Sequence, residues 1–189
     1  MNVFLDQDGV LFDLTRAACN RFGIPFRNDL NGWNLIKEFG ATHGVTREGF
    51  DAMLSDPGFW ETVRPYPWAH EMVDRLLKAG APLYILTICR FAAGYDVKYR
   101  QLIALHPGLE GRIIVTDVPK HTIAGHSGLL IDDGETNLRP MGGRGYHWLE
   151  TADAARGRQQ MKEVVGWVKD SLKQGKAVKK ASPQVTSIE

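Results

Sequence analysis

The first thirteen residues constrain this chain most strongly, because an apolar strand runs directly into a group of carboxylates. Val3-Phe4-Leu5 is followed by Asp6-Gln7-Asp8-Gly9-Val10-Leu11-Phe12-Asp13. Side chains alternate along a strand with a period of two, so Asp6 and Asp8 project to the same side and can share one site. Gly9 then allows a tight backbone turn that a Cβ would penalise. The sequence therefore predicts an acidic site at the end of a buried strand.

Carboxylates held close together repel one another, and a hard cation bound through oxygen ligands offsets that repulsion. A calcium loop of the EF-hand type does not fit the spacing, which would need Gly at the sixth position and Glu at the twelfth. Here Gly9 is fourth and Ala17 is twelfth. Mg²⁺ is therefore the predicted cofactor. For Asp13 the sequence leaves two functions open, a cap on the following helix or a part of the site.

The chain alternates strands and helices, a pattern that predicts an α/β fold with a Rossmann-like parallel sheet flanked by helices. The segment after the first strand is too long for a simple crossover, so a small helical cap is expected there. The predicted division is 1–13 and 64–174 for the core domain, 14–63 for the cap and 175–189 for a disordered tail. Predicted strands are Asn2 to Leu5, Pro82 to Leu86, Arg112 to Val115, Gly128 to Ile131 and Gly145 to Leu149.

The opening segment resembles the first motif of the haloacid dehalogenase superfamily of phosphohydrolases. That superfamily has three further motifs, a strand ending in Thr or Ser, a Lys and an acidic pair, and each has a counterpart here in the same order. They are Leu83-Tyr84-Ile85-Leu86-Thr87, then Lys120, then Leu129-Leu130-Ile131-Asp132-Asp133. The match spans residues 2 to about 137, and four motifs in order support one another better than any one alone.

The resemblance implies a phosphomonoesterase that forms an aspartyl-phosphate. Asp6 would be the nucleophile, and Asp8 would act first as general acid and then as general base. Thr87 and Lys120 would bind the phosphate. The ligands implied for Mg²⁺ are Asp6, the backbone carbonyl of Asp8, and Asp132 or Asp133.

Within the superfamily, the chain is most similar to the 5′(3′)-deoxyribonucleotidases, including phage and bacterial members, which implies a deoxyribonucleoside monophosphate as substrate. Ile88 would offer its backbone amide to the phosphate. Lys98 would either bind phosphate or face solvent. Among the cap aromatics, Trp33 and Trp60 are the candidates for stacking on a base. The stretches that carry this likeness are residues 6–13, 57–59, 65–67, 98–100, 112–120 and 128–133.

One departure from that pattern leaves alternatives open. Ile88, Cys89 and Arg90 follow Thr87, where relatives show a small or hydroxyl residue and then Pro. A phosphatase of the same superfamily acting on a sugar phosphate or another small metabolite is one alternative. A catalytically weak binding or regulatory protein on the same fold is another, and this altered loop is its only support.

Composition narrows the remaining classes. A net charge of +1 over 189 residues gives no overall attraction to membranes or to a nucleic-acid polymer, so a small phosphorylated substrate is the expected partner. No apolar run approaches the ~20 residues that span a bilayer, and no signal peptide precedes the first strand, so a cytoplasmic location is expected. Cys19 and Cys89 are read as reduced packing residues. The sequence does not indicate an oligomeric state.

Overall fold

A single parallel sheet organises the computed structural model, which describes residues 1–27, 30 and 34–181. Its five strands lie in the order β3-β2-β1-β4-β5, and every neighbouring pair is parallel. The fold is therefore the α/β, Rossmann-like class that the alternating pattern predicts. The strands are β1 Val3–Leu5, β2 Leu83–Ile88, β3 Ile113–Thr116, β4 Leu129–Asp132 and β5 Gly145–His147.

Alternate residues of the central strands belong to two separate apolar clusters, as expected for a sheet covered on both faces. Val3 and Leu5 belong to the larger cluster, whereas Phe4 between them belongs to the smaller one. Because β1 pairs with β2 on one side and β4 on the other, the ends of these three strands lie next to one another. Strand β2 runs two residues beyond its predicted end because Thr87 and Ile88 continue the pairing with β3.

Helices fill the connections between the strands. Nine α-helices are described, with two 3₁₀ segments at Pro107–Leu109 and Arg139–Arg144. The α-helices are α1 Leu14–Phe22, α2 Leu35–His43, α3 Arg47–Leu54, α4 Pro57–Trp60, α5 Ala69–Lys78, α6 Ala92–Leu105, α7 Lys120–Ala124, α8 Glu135–Leu138 and α9 Ala154–Ala181.

The described residues between β1 and α5 form four helices, and three of these, α1, α3 and α4, begin at a side-chain cap. The carboxylate of Asp13 accepts a hydrogen bond from the amide of Arg16 at 2.9 Å, so Asp13 caps α1. Thr46 caps α3 in the same way. The aromatic rings of Phe22, Phe39 and Phe50 pack together within this segment. Whether residues 14–63 form a cap domain distinct from the core stays a prediction.

The last helix is longer than the sequence predicts. Asp153 caps its start by accepting hydrogen bonds from the amides of Ala155 and Arg156, and the helix then continues to Ala181. Residues 175–181, assigned above to a disordered tail, are therefore helical. Their Lys and Ala residues favour a helix, and the first proline after them is Pro183. The remainder of the predicted tail lies outside the described residues.

Among the described residues, no helix is both long enough and apolar enough to cross a membrane.

Candidate functional site

The carboxyl ends of the central strands open into one cavity of about 210 Å³. Ligands of open α/β sheets bind at this edge, so its position alone marks it as the candidate site. Side chains from the turn after β1, from β2 and from the start of α7 converge on it, although they are far apart in the sequence. The lining residues are Asp6, Asp8, Gly9, Leu14, Thr15, Thr87, Ile88, Arg90, Lys120, Asp133, Asn137 and Glu150.

The turn after β1 depends on Gly9 for two reasons. Its φ of 75° lies in the left-handed region that side chains disfavour. A Cβ at this position would also stand 2.5 Å from Oδ2 of Asp133. The first reason is predictable from the sequence, whereas the second is visible only in the fold, where the loop after β4 closes against the turn after β1.

Lys120, the first residue of α7, holds the nucleophile candidate. Its buried ammonium forms ion pairs with the carboxylates of Asp6 and Asp132, the latter at 2.7 Å. Burial lowers the pKa of Lys120, but the charges of Asp6 and then Asp132 outweigh burial and raise the pKa above its usual value. Lys120 is therefore charged at neutral pH and offsets negative charge at the end of β1.

One ammonium does not balance the carboxylates around it. Asp6, Asp132 and Asp133 each place an oxygen within 4.8 Å of the others. The pKa of Asp6 is raised to about 7, mainly by burial; Lys120 opposes this rise, and the charges of Asp132 and Asp8 add to it. Burial, Asp6 and Asp132 likewise raise the pKa of Asp133 well above its usual value. With one ammonium beside three carboxylates, the group carries an excess of negative charge when all three are ionised.

This excess suits a divalent cation. Hard oxygen ligands from three carboxylates match what Mg²⁺ prefers in proteins, and the residues therefore fit the predicted metal. Asp132 is well fixed for that role, because its Oδ1 accepts hydrogen bonds from the Gly134 amide at 2.8 Å and the Asn137 side-chain amide at 2.9 Å. The three aspartates could hold a metal ion together.

Asp8 pairs with a different lysine, Lys98. Its Oδ2 forms an ion pair with Lys98 of α6, which is fully buried. Oδ1 of Asp8 is buried and has no hydrogen-bond partner among the described residues. The structure therefore excludes the solvent-facing orientation left open for Lys98 and brings that side chain to the candidate site.

Thr87 and Ile88, at the end of β2, both line the cavity. Thr87 is 1% exposed, and its hydroxyl oxygen accepts a hydrogen bond from Lys98 at 3.0 Å. The carbonyl of Ile88 accepts another at 3.2 Å. Arg90, which stands where the nucleotidase pattern departs, is exposed and also lines the cavity. The strand thus brings together the predicted phosphate ligands, whose roles stay predictions.

Of the two aromatic candidates for base stacking, Trp60 is described, and it does not line the cavity. Trp60 is only 4% exposed, and its indole N–H donates to the carbonyl of Leu54 at 2.8 Å. Its ring packs where Gly94 has no side chain, since a Cβ there would lie 2.9 Å from the ring. The stacking prediction for Trp60 is wrong because α4 buries the ring. Trp33 lies outside the described residues.

Three polar lining residues escaped the sequence reasoning, namely Thr15, Asn137 and Glu150. Glu150 accepts hydrogen bonds from the hydroxyls of Thr15 at 2.6 Å and Tyr66 at 3.1 Å, and so ties the loop before α9 to α1. Asn137 supports Asp132 from α8. None of the three falls in a recognisable motif. Only the acidic pair Asp132-Asp133, four residues before Asn137, could have directed attention to that helix.

The fold and the site together define a Rossmann-like α/β protein with a carboxylate-rich cavity at the carboxyl edge of its sheet. No protein-family model matches the chain, and no curated protein matches it. Fifteen chains of solved structures match it. One is a provisionally assigned haloacid dehalogenase-like hydrolase from Burkholderia xenovorans LB400, with 19% sequence identity, coverage of 77% of this chain and 80% of that chain, and a TM-score of 0.48.

Proposed function

We propose that this chain is a Mg²⁺-dependent phosphomonoesterase of the haloacid dehalogenase superfamily. The observation that carries the proposal is the grouping of Asp6, Asp132 and Asp133 around Lys120, with Asp8 and Thr87 on the same cavity. A phosphoryl group needs cationic neighbours, a nucleophile and a proton donor, and this cavity offers all three. The four motifs that resemble the superfamily supply these same residues.

Asp6 and Asp8 divide the chemistry between them. A carboxylate oxygen of Asp6 bonds to phosphorus while the bond from phosphorus to the ester oxygen breaks, and Asp8 gives that oxygen a proton so that an alcohol leaves. Asp8 then takes a proton from water as the water oxygen bonds to phosphorus, which releases Asp6 and inorganic phosphate. Lys120 and Thr87 stabilise the charge on the phosphoryl oxygens.

The aspartates would also hold the metal. Asp6, the backbone carbonyl of Asp8, and Asp132 or Asp133 are the ligands we propose for Mg²⁺. When bound, Mg²⁺ supplies positive charge that offsets both the phosphate and the carboxylates. Asn137 and the Gly134 amide keep Asp132 oriented for this role.

The resemblance to the 5′(3′)-deoxyribonucleotidases supports a deoxyribonucleoside monophosphate as substrate. A second candidate, a sugar phosphate or other small metabolite, is favoured by the size of the cavity. Its volume of about 210 Å³ is below the range of roughly 300–1,000 Å³ common for sites that enclose larger ligands. Trp60, one of the two proposed stacking residues, is buried elsewhere.

Phosphate release from a panel of esters tests the function. The panel contains 5′- and 3′-deoxynucleotides, ribonucleotides and sugar phosphates, each with Mg²⁺ or EDTA, beside the Asp6→Asn variant. Asp6→Asn removes the charge of the nucleophilic carboxylate, so we expect turnover to fall to background while the fold persists. Asp117→Asn, at an exposed position before α7, is the matched control and should keep wild-type turnover.

Each outcome of the panel has a separate meaning. Metal-dependent release that favours deoxynucleotides supports the nucleotidase proposal, and release that favours sugar phosphates supports the second candidate. Wild-type turnover by Asp6→Asn would refute the aspartyl-phosphate route. No release from any ester would refute the phosphatase proposal and favour a binding protein on the same fold.

A further inference from the structure

Lys98 contacts the cavity wall from behind. It is fully buried, and it is not among the described residues that line the cavity, although Asp8, Thr87 and Ile88 all are. Its ammonium contacts these three residues, pairing with the Asp8 carboxylate and donating to the Thr87 hydroxyl oxygen at 3.0 Å and the Ile88 carbonyl at 3.2 Å. Lys98 therefore contacts residues that line the cavity without lining the cavity itself.

The hydrogen-bonding capacity of Lys98 is fully used by these contacts. An ammonium has three N–H donors, and here three acceptors are available to it. On its remaining side lies the ring of Trp60, 4.8 Å from the nitrogen to the ring centroid, an arrangement that favours a cation. No N–H donor is left over for a phosphate oxygen in this arrangement, which argues against a direct substrate contact.

The two oxygens of Asp8 are consequently unequal. Oδ2 is held by Lys98, whereas Oδ1 is buried and has no hydrogen-bond partner among the described residues. A buried carboxylate oxygen without a partner is unfavourable and calls for an explanation. Among the described residues, the Asp8 carboxylate is therefore held on one side only, by the ammonium of Lys98 at Oδ2.

We propose that Lys98 is a positioning residue that fixes the Asp8 carboxylate through Oδ2 and so keeps Asp8 oriented for both proton transfers of the phosphatase reaction. The inference rests on the proposed function and adds a residue that acts through Asp8 rather than on the phosphate. Because Lys98 also contacts Thr87 and Ile88, the same ammonium fixes the position of Asp8, the proposed proton donor, relative to the end of β2 that is proposed to bind phosphate. The predicted phosphate contact of Lys98 is the competing explanation.

The leaving group separates these two explanations. An alkyl phosphate needs a proton on its departing oxygen, whereas p-nitrophenolate leaves readily without one. For Lys98→Met we expect the first chemical step, measured by rapid quench, to slow by about 100-fold or more with the alkyl ester, the scale of general acid catalysis. With p-nitrophenyl phosphate the burst should slow by less than about tenfold, because no proton is required there.

The control variant and the rescue variant each change one lysine. Lys78→Met, which removes an exposed lysine paired with Asp74 on α5, should leave both esters at wild-type rates. Lys98→Arg, which keeps the charge, should recover part of the alkyl-ester rate. If both esters react more slowly by the same factor and the KM for each rises, the inference is overturned and Lys98 binds phosphate.

A double variant covers the case in which Lys98→Met fails to fold. Asp8→Asn combined with Lys98→Met removes both charges of the pair, which avoids leaving one of them without its partner. If Lys98 acts only through Asp8, the residual turnover of the double variant equals that of Asp8→Asn alone; a further tenfold loss overturns the inference. Failure of the wild type to cleave any ester would instead refute the proposed function, and this inference with it.

Discussion

The two buried lysines of the site are each held by aspartate, yet their surroundings differ in charge. Lys120 faces the carboxylates of Asp6 and Asp132, with Asp133 close by. Lys98 faces one carboxylate, two neutral oxygens and an aromatic ring. The Lys120 group therefore keeps an excess of negative charge and can accept a further cation, whereas the Lys98 group is balanced. We therefore propose the metal at the Lys120 group and the proton donor at the Lys98 group.

Removal of Lys120 should have the largest effect on the stability and turnover of the protein. Lys120→Met leaves three carboxylates without their ammonium, and loss of one partner of a buried pair costs about 3–5 kcal/mol of the free energy of unfolding. Turnover should fall by about 10²–10³-fold or more, as when a preorganised electrostatic group is lost. Thermal and chemical unfolding, with and without Mg²⁺, measure the first effect.

Mg²⁺ distinguishes the two lysines in the same experiment. In Lys120→Met the metal replaces part of the missing positive charge, so Mg²⁺ should raise the melting temperature more than it does in the wild type. In Lys98→Met, where the excess acidic group is untouched, the Mg²⁺-dependent rise should equal that of the wild type. An equal response of both variants would show that the two groups do not differ in the way proposed.

The pH dependence of stability reports on the carboxylates around Lys120. The folded pKa of Asp6, about 7, lies above the usual value of 3.8, so the folded chain binds a proton more tightly than the unfolded chain between these limits. With EDTA present, the free energy of unfolding should therefore fall by roughly 2–4 kcal/mol as the pH rises from 5 to 8, since each unit of pKa difference corresponds to about 1.4 kcal/mol. The raised pKa of Asp133 acts in the same direction.

Denaturant titrations at the two pH values measure this fall. Mg²⁺ binds the ionised carboxylates, so it should remove most of the loss at pH 8. Asp6→Asn carries no titrating group at that position and should show a smaller fall. A free energy of unfolding that rises between pH 5 and pH 8 in EDTA would contradict the excess of negative charge around Lys120.

The sequence shows the Lys120 group far more clearly than the Lys98 group. Asp6, Lys120 and the Asp132-Asp133 pair stand directly after apolar strands or at the start of a helix, where the carboxyl edge of a parallel sheet collects them. The strand positions follow from apolar runs, with ends shifted by one or two residues. The order of the strands depends on packing across the whole sheet and does not follow from periodicity.

The sequence indicates the position of Lys98 less clearly because its partner, Asp8, lies 90 residues away. A lysine on a helix is usually exposed, and only its spacing from Val97 and Leu102, which are both buried on α6, hints at an inward position. The position of Trp60 is hard to predict for a related reason. A glycine such as Gly58 is typical of a loop, but Pro57 begins the short helix α4, which buries the ring against Gly94.

The smallest expected effect concerns how the acidic group is supported. Oδ1 of Asp132 accepts hydrogen bonds from Asn137 and from the Gly134 amide, whereas Oδ1 of Asp8 has no hydrogen-bond partner among the described residues. Asn137→Ala removes one of the two supports, so Asp132 should bind Mg²⁺ about tenfold more weakly, the lower end of what the loss of such a support costs. Turnover at saturating Mg²⁺ should stay within about threefold of wild type, because the Gly134 amide still orients the carboxylate.

Activity as a function of free Mg²⁺ concentration measures the change in metal affinity. Gln159→Ala removes an exposed amide from α9, remote from the acidic group in sequence, and should leave the Mg²⁺ dependence unaltered. If Asn137→Ala binds Mg²⁺ as tightly as the wild type but turns over more slowly at saturation, Asn137 acts on the substrate instead. The Gly134 amide would then be enough to orient Asp132. The difference between Asp132 and Asp8 would in that case depend on Lys120 and not on the hydrogen bond from Asn137.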